Sequence, residues 1–130
     1  KRGAPVVAEK IFLGKIVKVS PSFSVAAALT APKIRTAATF AGYEKNSAIL
    51  EGQLNLGAVL NFIPKNIAIH ENMPVISSGL EEQAPRGLLI GRVERVESHD
   101  EDLFQTAYLK MPLRLEDVFL VSVVLPVVPE

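Results

Sequence analysis

The chain has 130 residues, enough for one domain or two very small ones, and 48% of them are hydrophobic, enough to build a packed core. Its 14 basic and 14 acidic side chains cancel, which argues against nucleic acid as a partner and gives no reason to expect attraction to an anionic membrane surface. The lack of cysteine excludes disulfides and thiolate metal sites without fixing the compartment.

Glycine and proline punctuate the chain about every 8–12 residues, and short runs rich in Val, Ile, Leu, Ala and Thr lie between them. That spacing points to an all-β fold, a sandwich or barrel, with no long helical period to compete. In chain order the expected strands are Ile11–Val19, Val25–Ala31, Ile34–Phe40, Ser47–Leu50, Leu54–Phe62, Val75–Ser77, Leu89–Glu97, Phe104–Lys110 and Val118–Val124. Pro21 in Ser20-Pro21-Ser22 stops the first, because proline cannot donate to a ladder. Turns are expected at Ala41-Gly42-Tyr43 and Glu51-Gly52-Gln53, where glycine tolerates positive φ. Pro64-Lys65-Asn66 opens a loop, and Ser98-His99-Asp100-Glu101-Asp102 forms a polar hairpin tip. One helical turn is expected at Leu113–Asp117. The most apolar run, Val118–Val128, is broken by Ser122 and Pro126 and falls short of the roughly 20 apolar residues a membrane-spanning helix needs. The start at Lys1-Arg2-Gly3 without methionine reads as a fragment or processed product, so an anchor could lie upstream.

One pattern is written twice. Ala4-Pro5-Val6-Val7 precedes Leu13-Gly14-Lys15-Ile16-Val17-Lys18-Val19, and Met73-Pro74-Val75-Ile76 precedes Ile90-Gly91-Arg92-Val93-Glu94-Arg95-Val96. A repeated strand–loop–strand unit implies two similar β modules. Val93 and Val96 are three apart, as are Ile16 and Val19, so strict alternation would place them on opposite faces. A β-bulge in one or both strands would restore a single inward face. Gly79 and Gly87 are expected at positive φ or at a close backbone approach, and Gly14 and Gly91 at bulges or tight corners.

The second copy also carries a resemblance. Ile63-Pro64-Lys65-Asn66, Met73-Pro74-Val75-Ile76-Ser77-Ser78-Gly79-Leu80 and Pro85-Arg86-Gly87-Leu88-Leu89-Ile90-Gly91-Arg92-Val93, followed by Leu103-Phe104-Gln105, resemble the rod-shape-determining MreC family. Gly3-Ala4-Pro5-Val6-Val7 and Leu13–Ser24 extend the likeness upstream, so it covers residues 3 to about 125. The motif residues are Pro5, Gly14, Pro74, Ser78, Gly79, Pro85, Gly87 and Gly91. Glu9-Lys10-Ile11 stands where the family usually has a glycine, and Glu81-Glu82-Gln83-Ala84 replaces a glycine-rich turn. The resemblance implies one β domain over residues 1–130. It would comprise two small antiparallel β-barrel-like modules, distantly like chymotrypsin-type barrel halves. They would part near residues 32–34 and 112–115, with the last strand returning to the first.

A protease-like fold makes a hydrolase, or an inactive peptide- or glycan-binding relative, the alternative to weigh. A triad needs nucleophile, base and orienting carboxylate in contact. Only His70 and His99 offer a base, and Ser77 and Ser78 the nearest nucleophile. Neither histidine is followed by a nucleophile motif, and a deep cleft lined by His70 and Ser77 or Ser78 would be needed to favour catalysis. The His99–Asp102 tip reads as a solvated turn rather than a metal site, because consecutive residues of an extended tip diverge. No catalytic, cofactor or metal residues are therefore assigned.

Val118-Phe119-Leu120-Val121-Ser122-Val123-Val124-Leu125 reads first as a strand buried on both faces. The alternative is an apolar surface for self-association or partner docking, carried by Val118, Phe119, Val121 and Val123. The resemblance implies a non-enzymatic scaffold of cell-wall elongation, periplasmic or extracytoplasmic and anchored to the inner membrane. It implies self-association and partners in a penicillin-binding transpeptidase, MreD, RodA and MreB.

Overall fold

A computed structural model describes residues 2–43, 47–53, 57–80, 85–112, 118 and 120–125. Ten strands run in order: β1 (Pro5–Ala8), β2 (Ile11–Val19), β3 (Ser24–Ala28), β4 (Arg35–Phe40), β5 (Ala48–Gln53), β6 (Gly57–Pro64), β7 (Pro74–Ser77), β8 (Leu89–Glu97), β9 (Phe104–Lys110) and β10 (Ser122–Val123). No helix occurs among the described residues. The expected spans of β2, β8 and β9 coincide with the observed ones, because runs rich in apolar residues and bounded by turn residues mark all three. Periodicity alone does not mark β1, whose four residues are too few to show a period, but the repeated strand–loop–strand unit places a strand at Pro5-Val6-Val7. The expected turn at Leu113–Asp117, the start of the Leu54–Phe62 strand and Phe119 lie outside the described residues.

Six strands close on themselves. β4 pairs with β5, β5 with β6, β6 with β9, β9 with β8, β8 with β7, and β7 with β4, every pair antiparallel. Closure leaves this sheet without a free edge. Its interior is filled by Phe40, Leu50, Leu60, Ile63, Val75, Ile90, Val93 and Leu109, all buried. The 64–73 loop adds Ile67 and Met73. Buried Gln105 fixes that loop by donating to the carbonyls of Pro64 (3.0 Å) and Ile67 (2.8 Å). A buried amide without these acceptors would cost about 1–3 kcal/mol.

The remaining strands form a second, open sheet in the order β10–β1–β2–β3, also antiparallel. Its own buried cluster is small, Ala4, Val6 and Ile16. It joins the barrel through one parallel register contact, Ile11 opposite Leu89. Phe12 and Leu29 reach from this side into the barrel's core. Gly52 corrects the sequence reading: it lies within β5, not in a turn. Chain 29–31 crosses so closely that a Cβ there would sit 2.2 Å from the Ala31 carbonyl oxygen.

The twofold pattern of the sequence is present in the ladders themselves. Pro5, Val6 and Val7 stand opposite Lys15, Gly14 and Phe12, and Pro74, Val75 and Ile76 opposite Arg92, Gly91 and Leu89. The far side repeats too, for β2 passes over Val17 against β3 as β8 passes over Glu94 against β9. The expected bulges are therefore in both strands. The amide of Ile16 donates to Ala4 O and that of Val93 to Met73 O. At Gly14 a Cβ would meet Ala27 O at 2.2 Å, and at Gly91 it would meet Lys110 O at 2.7 Å, so both glycines admit a neighbouring backbone.

Candidate docking site on the barrel wall

The site starts from a bulge in β6. Leu60 pairs with Ala107 and Ile63 with Gln105, so Asn61 and Phe62 together oppose one residue of β9. The bulge turns both Leu60 and Ile63 inward and leaves Phe62 on the outer wall, 54% exposed. Phe62 has φ 65, the left-handed value that glycine usually takes in such a bulge. Holding a bulky residue there costs about 1–3 kcal/mol and persists only where the surroundings impose it.

Phe104, at the start of β9, meets Phe62 edge to face, ring centroids 5.8 Å apart at 86°. Leu103 beside it is 83% exposed. These side chains line a shallow groove of about 470 Å³ whose rim carries Glu101 and Asp102, from the β8–β9 hairpin tip. Neither carboxylate has an ion-pair partner among the described residues. The nearby ammonium of Lys65 donates to the His99 carbonyl. Thr106 donates to Asn61 Oδ1 at 3.5 Å across the bulge. Further along the hairpin the Tyr108 hydroxyl donates to Glu97 at 2.8 Å, and the Arg95 guanidinium lies 3.7 Å from the ring centre. The bond to Glu97 pushes the phenol's pKa up. Sequence reasoning named the Leu103-Phe104-Gln105 strand but missed Phe62. The signal was an extra residue in register with an aromatic in it, invisible without the partner strand.

The serine–histidine pair weighed for catalysis is not assembled. Ser77 is 1% exposed, and its hydroxyl donates to Pro85 O (2.6 Å) and accepts from the Leu88 amide (2.9 Å). The Ser78 hydroxyl accepts from Leu80 N at 3.3 Å, while the His70 ring nitrogen Nδ1 lies 3.1 Å from Glu71 O. Ser77 and Ser78 thus hold Leu80, Pro85 and Leu88 by hydrogen bonds, beside Gly79 (φ 84) and Gly87 (φ 96). Pro5 and Pro74 open β1 and β7 at equivalent ladder positions.

The C-terminal run departs from the expectation of a strand buried on both faces. Among the described residues of this run, Ser122 and Val123 pair with Val7 and Val6 of β1, and the Val124 amide donates to Pro5 O. Leu120 is 85% exposed, and Val121 and Val123 are also exposed, because no second layer among the described residues covers this edge. Val118 and Val121 border an apolar groove over Gly14 and the alanines of β3, about 270 Å³ in volume.

A closed six-stranded antiparallel barrel with an open sheet hung on one of its strands is the class of domain this fold defines. A family model described as "Rod shape-determining protein MreC, barrel core" matches residues 1–125, and the chain belongs to that family. The cell shape-determining protein MreC of Listeria monocytogenes is 30% identical over 82 residues, 63% of this chain and 25% of that protein. The chain thus spans about a quarter of that relative's length. A solved MreC structure from Listeria monocytogenes matches with a TM-score of 0.77 at 26% identity, over 90% of this chain and 58% of that one. A structure of Helicobacter pylori MreC in complex with the penicillin-binding protein PBP2 matches with a TM-score of 0.68 at 19% identity, over 89% and 68% of the respective chains, a likeness of fold.

Proposed function

We propose that this chain is the extracytoplasmic β domain of a non-enzymatic scaffold that maintains rod shape by holding a penicillin-binding transpeptidase of the cell-wall elongation machinery. The single observation that carries this reading is the family match across residues 1–125. Two further observations support it. The fold matches an MreC whose structure was solved with the penicillin-binding protein PBP2. The Ser77 hydroxyl, one of the two serines weighed as a nucleophile, is buried and engaged by loop backbone.

In this proposal the two modules part near residues 32–34 and 112–115 and the last strand returns to the first. A segment outside this chain anchors the domain to the inner membrane, where MreD, RodA and, across the membrane, MreB complete the assembly. The apolar run at Val118, Phe119, Val121 and Val123 serves self-association. Calorimetric titration of the purified chain with the periplasmic domain of its own transpeptidase is expected to give saturable binding of about micromolar strength, near −8 kcal/mol. No heat or mobility change at protein concentrations a hundred times higher would sink the proposal.

A further inference from the structure

We propose that the groove between Phe62 and Phe104 is the docking point for a partner segment that brings an apolar anchor side chain flanked by lysine or arginine. The inference rests on the scaffold reading above and names the surface and the chemistry by which the transpeptidase is held. Scattered exposed apolar residues are ordinary. Here two aromatic rings and Leu103 gather in one groove, and one ring is held out by backbone in a conformation that glycine would adopt without strain. The bulge needs a residue at φ 65, but it does not need phenylalanine. What phenylalanine adds is a fixed aromatic face on the outer wall, the kind of rigid anchor that dominates protein interfaces.

The rim decides the occupant's charge. Glu101 and Asp102 face the groove without an ion pair among the described residues. Lys65, near the tip, is turned to the His99 carbonyl. An apolar segment with basic flanks therefore gains both ring contact and complementary charge, which chiefly speeds association and selects the partner.

The test titrates the transpeptidase's periplasmic domain into the wild-type chain, Phe62→Gly, Phe104→Ala and the double reversal Glu101→Lys with Asp102→Lys. Phe62→Gly is expected to weaken binding about thirtyfold or more, the scale of an interfacial hot spot, while its unfolding midpoint holds or rises. Phe104→Ala, which leaves the bulge alone, should weaken binding in the same direction, and it stands in if the glycine variant does not fold. The charge reversal should slow association and remove its salt sensitivity. Failure of the wild-type chain to bind would overturn this inference together with the scaffold reading. Equal binding by wild type and both phenylalanine variants would overturn the groove alone. Loss of self-association by sedimentation, with transpeptidase binding intact, would also overturn it and assign the groove to a second copy of the chain.

Discussion

The two copies of the strand pattern hold the same ladder and meet different fates. β1–β2–β3 and β7–β8–β9 share register, paired bulges and the glycine that lets a neighbouring backbone approach. The second copy is closed by β4, β5 and β6 into a barrel, so Val96 packs against the core. The first ends at β3, which pairs with nothing beyond β2 among the described residues, and the equivalent Val19 is 50% exposed. The same local sequence thus builds a rigid wall where the sheet closes and an apolar margin where it does not. Charge divides along the chain rather than by sheet: residues 1–43, which include β4 of the barrel, carry seven basic and one acidic side chain, and residues 44–130 seven and thirteen.

That contrast is open to direct attack. The largest effect is expected in the core. Leu60→Ala in the barrel should cost about 2–5 kcal/mol in urea unfolding. Val6→Ala in the small cluster of the open sheet should cost about 1.5 kcal/mol, at about 0.8 per methylene-sized group. Equal costs would mean the open sheet is as tightly packed as the barrel.

Next come the paired glycines. Gly14→Ala makes the closer clash, yet β3 is an edge strand and can splay. Gly91→Ala strains a ladder fixed on both sides. Gly91→Ala is therefore expected to lower global stability by about 2–3 kcal/mol, the upper range for overpacking, and Gly14→Ala by about 1 kcal/mol. Hydrogen exchange should show the Gly14→Ala loss confined to β1–β3. A larger global loss from Gly14→Ala would reverse the comparison.

The smallest effect is a gain. Glu9 and Lys10 form the two-residue turn between β1 and β2 at φ 53 and 68, where Asn-Gly is the favoured pair. Replacing them with Asn and Gly should stabilise the hairpin by about 1 kcal/mol. The gain should be read as slower amide exchange in β1 and β2, with barrel amides unchanged. A matching gain in barrel protection would show that the two sheets unfold as one.

Much of this was legible in the chain. Apolar runs bounded by turn residues marked three strands at their observed limits. The three-residue spacing of Val93 and Val96 gave a bulge, and the doubled Pro-Val and Gly-basic pattern gave the repeat. Two readings failed for one reason. Gly52 looked like a turn because the crossing of chain 29–31 is a long-range contact. Val118–Leu125 looked like a buried strand because apolarity does not say whether a second layer exists to cover it.

By itself, then, the sequence determined strand periodicity, turn chemistry and family, since each is written in residues near one another along the chain. Only the tertiary structure decided that one copy closes into a barrel, through the β4–β7 and β6–β9 pairings. It alone decided that Phe62 points outward beside Phe104. Strand pairing sets which face is covered, and a one-residue shift in register moves every following side chain to the other face. No local pattern carries that information for residues 42 positions apart.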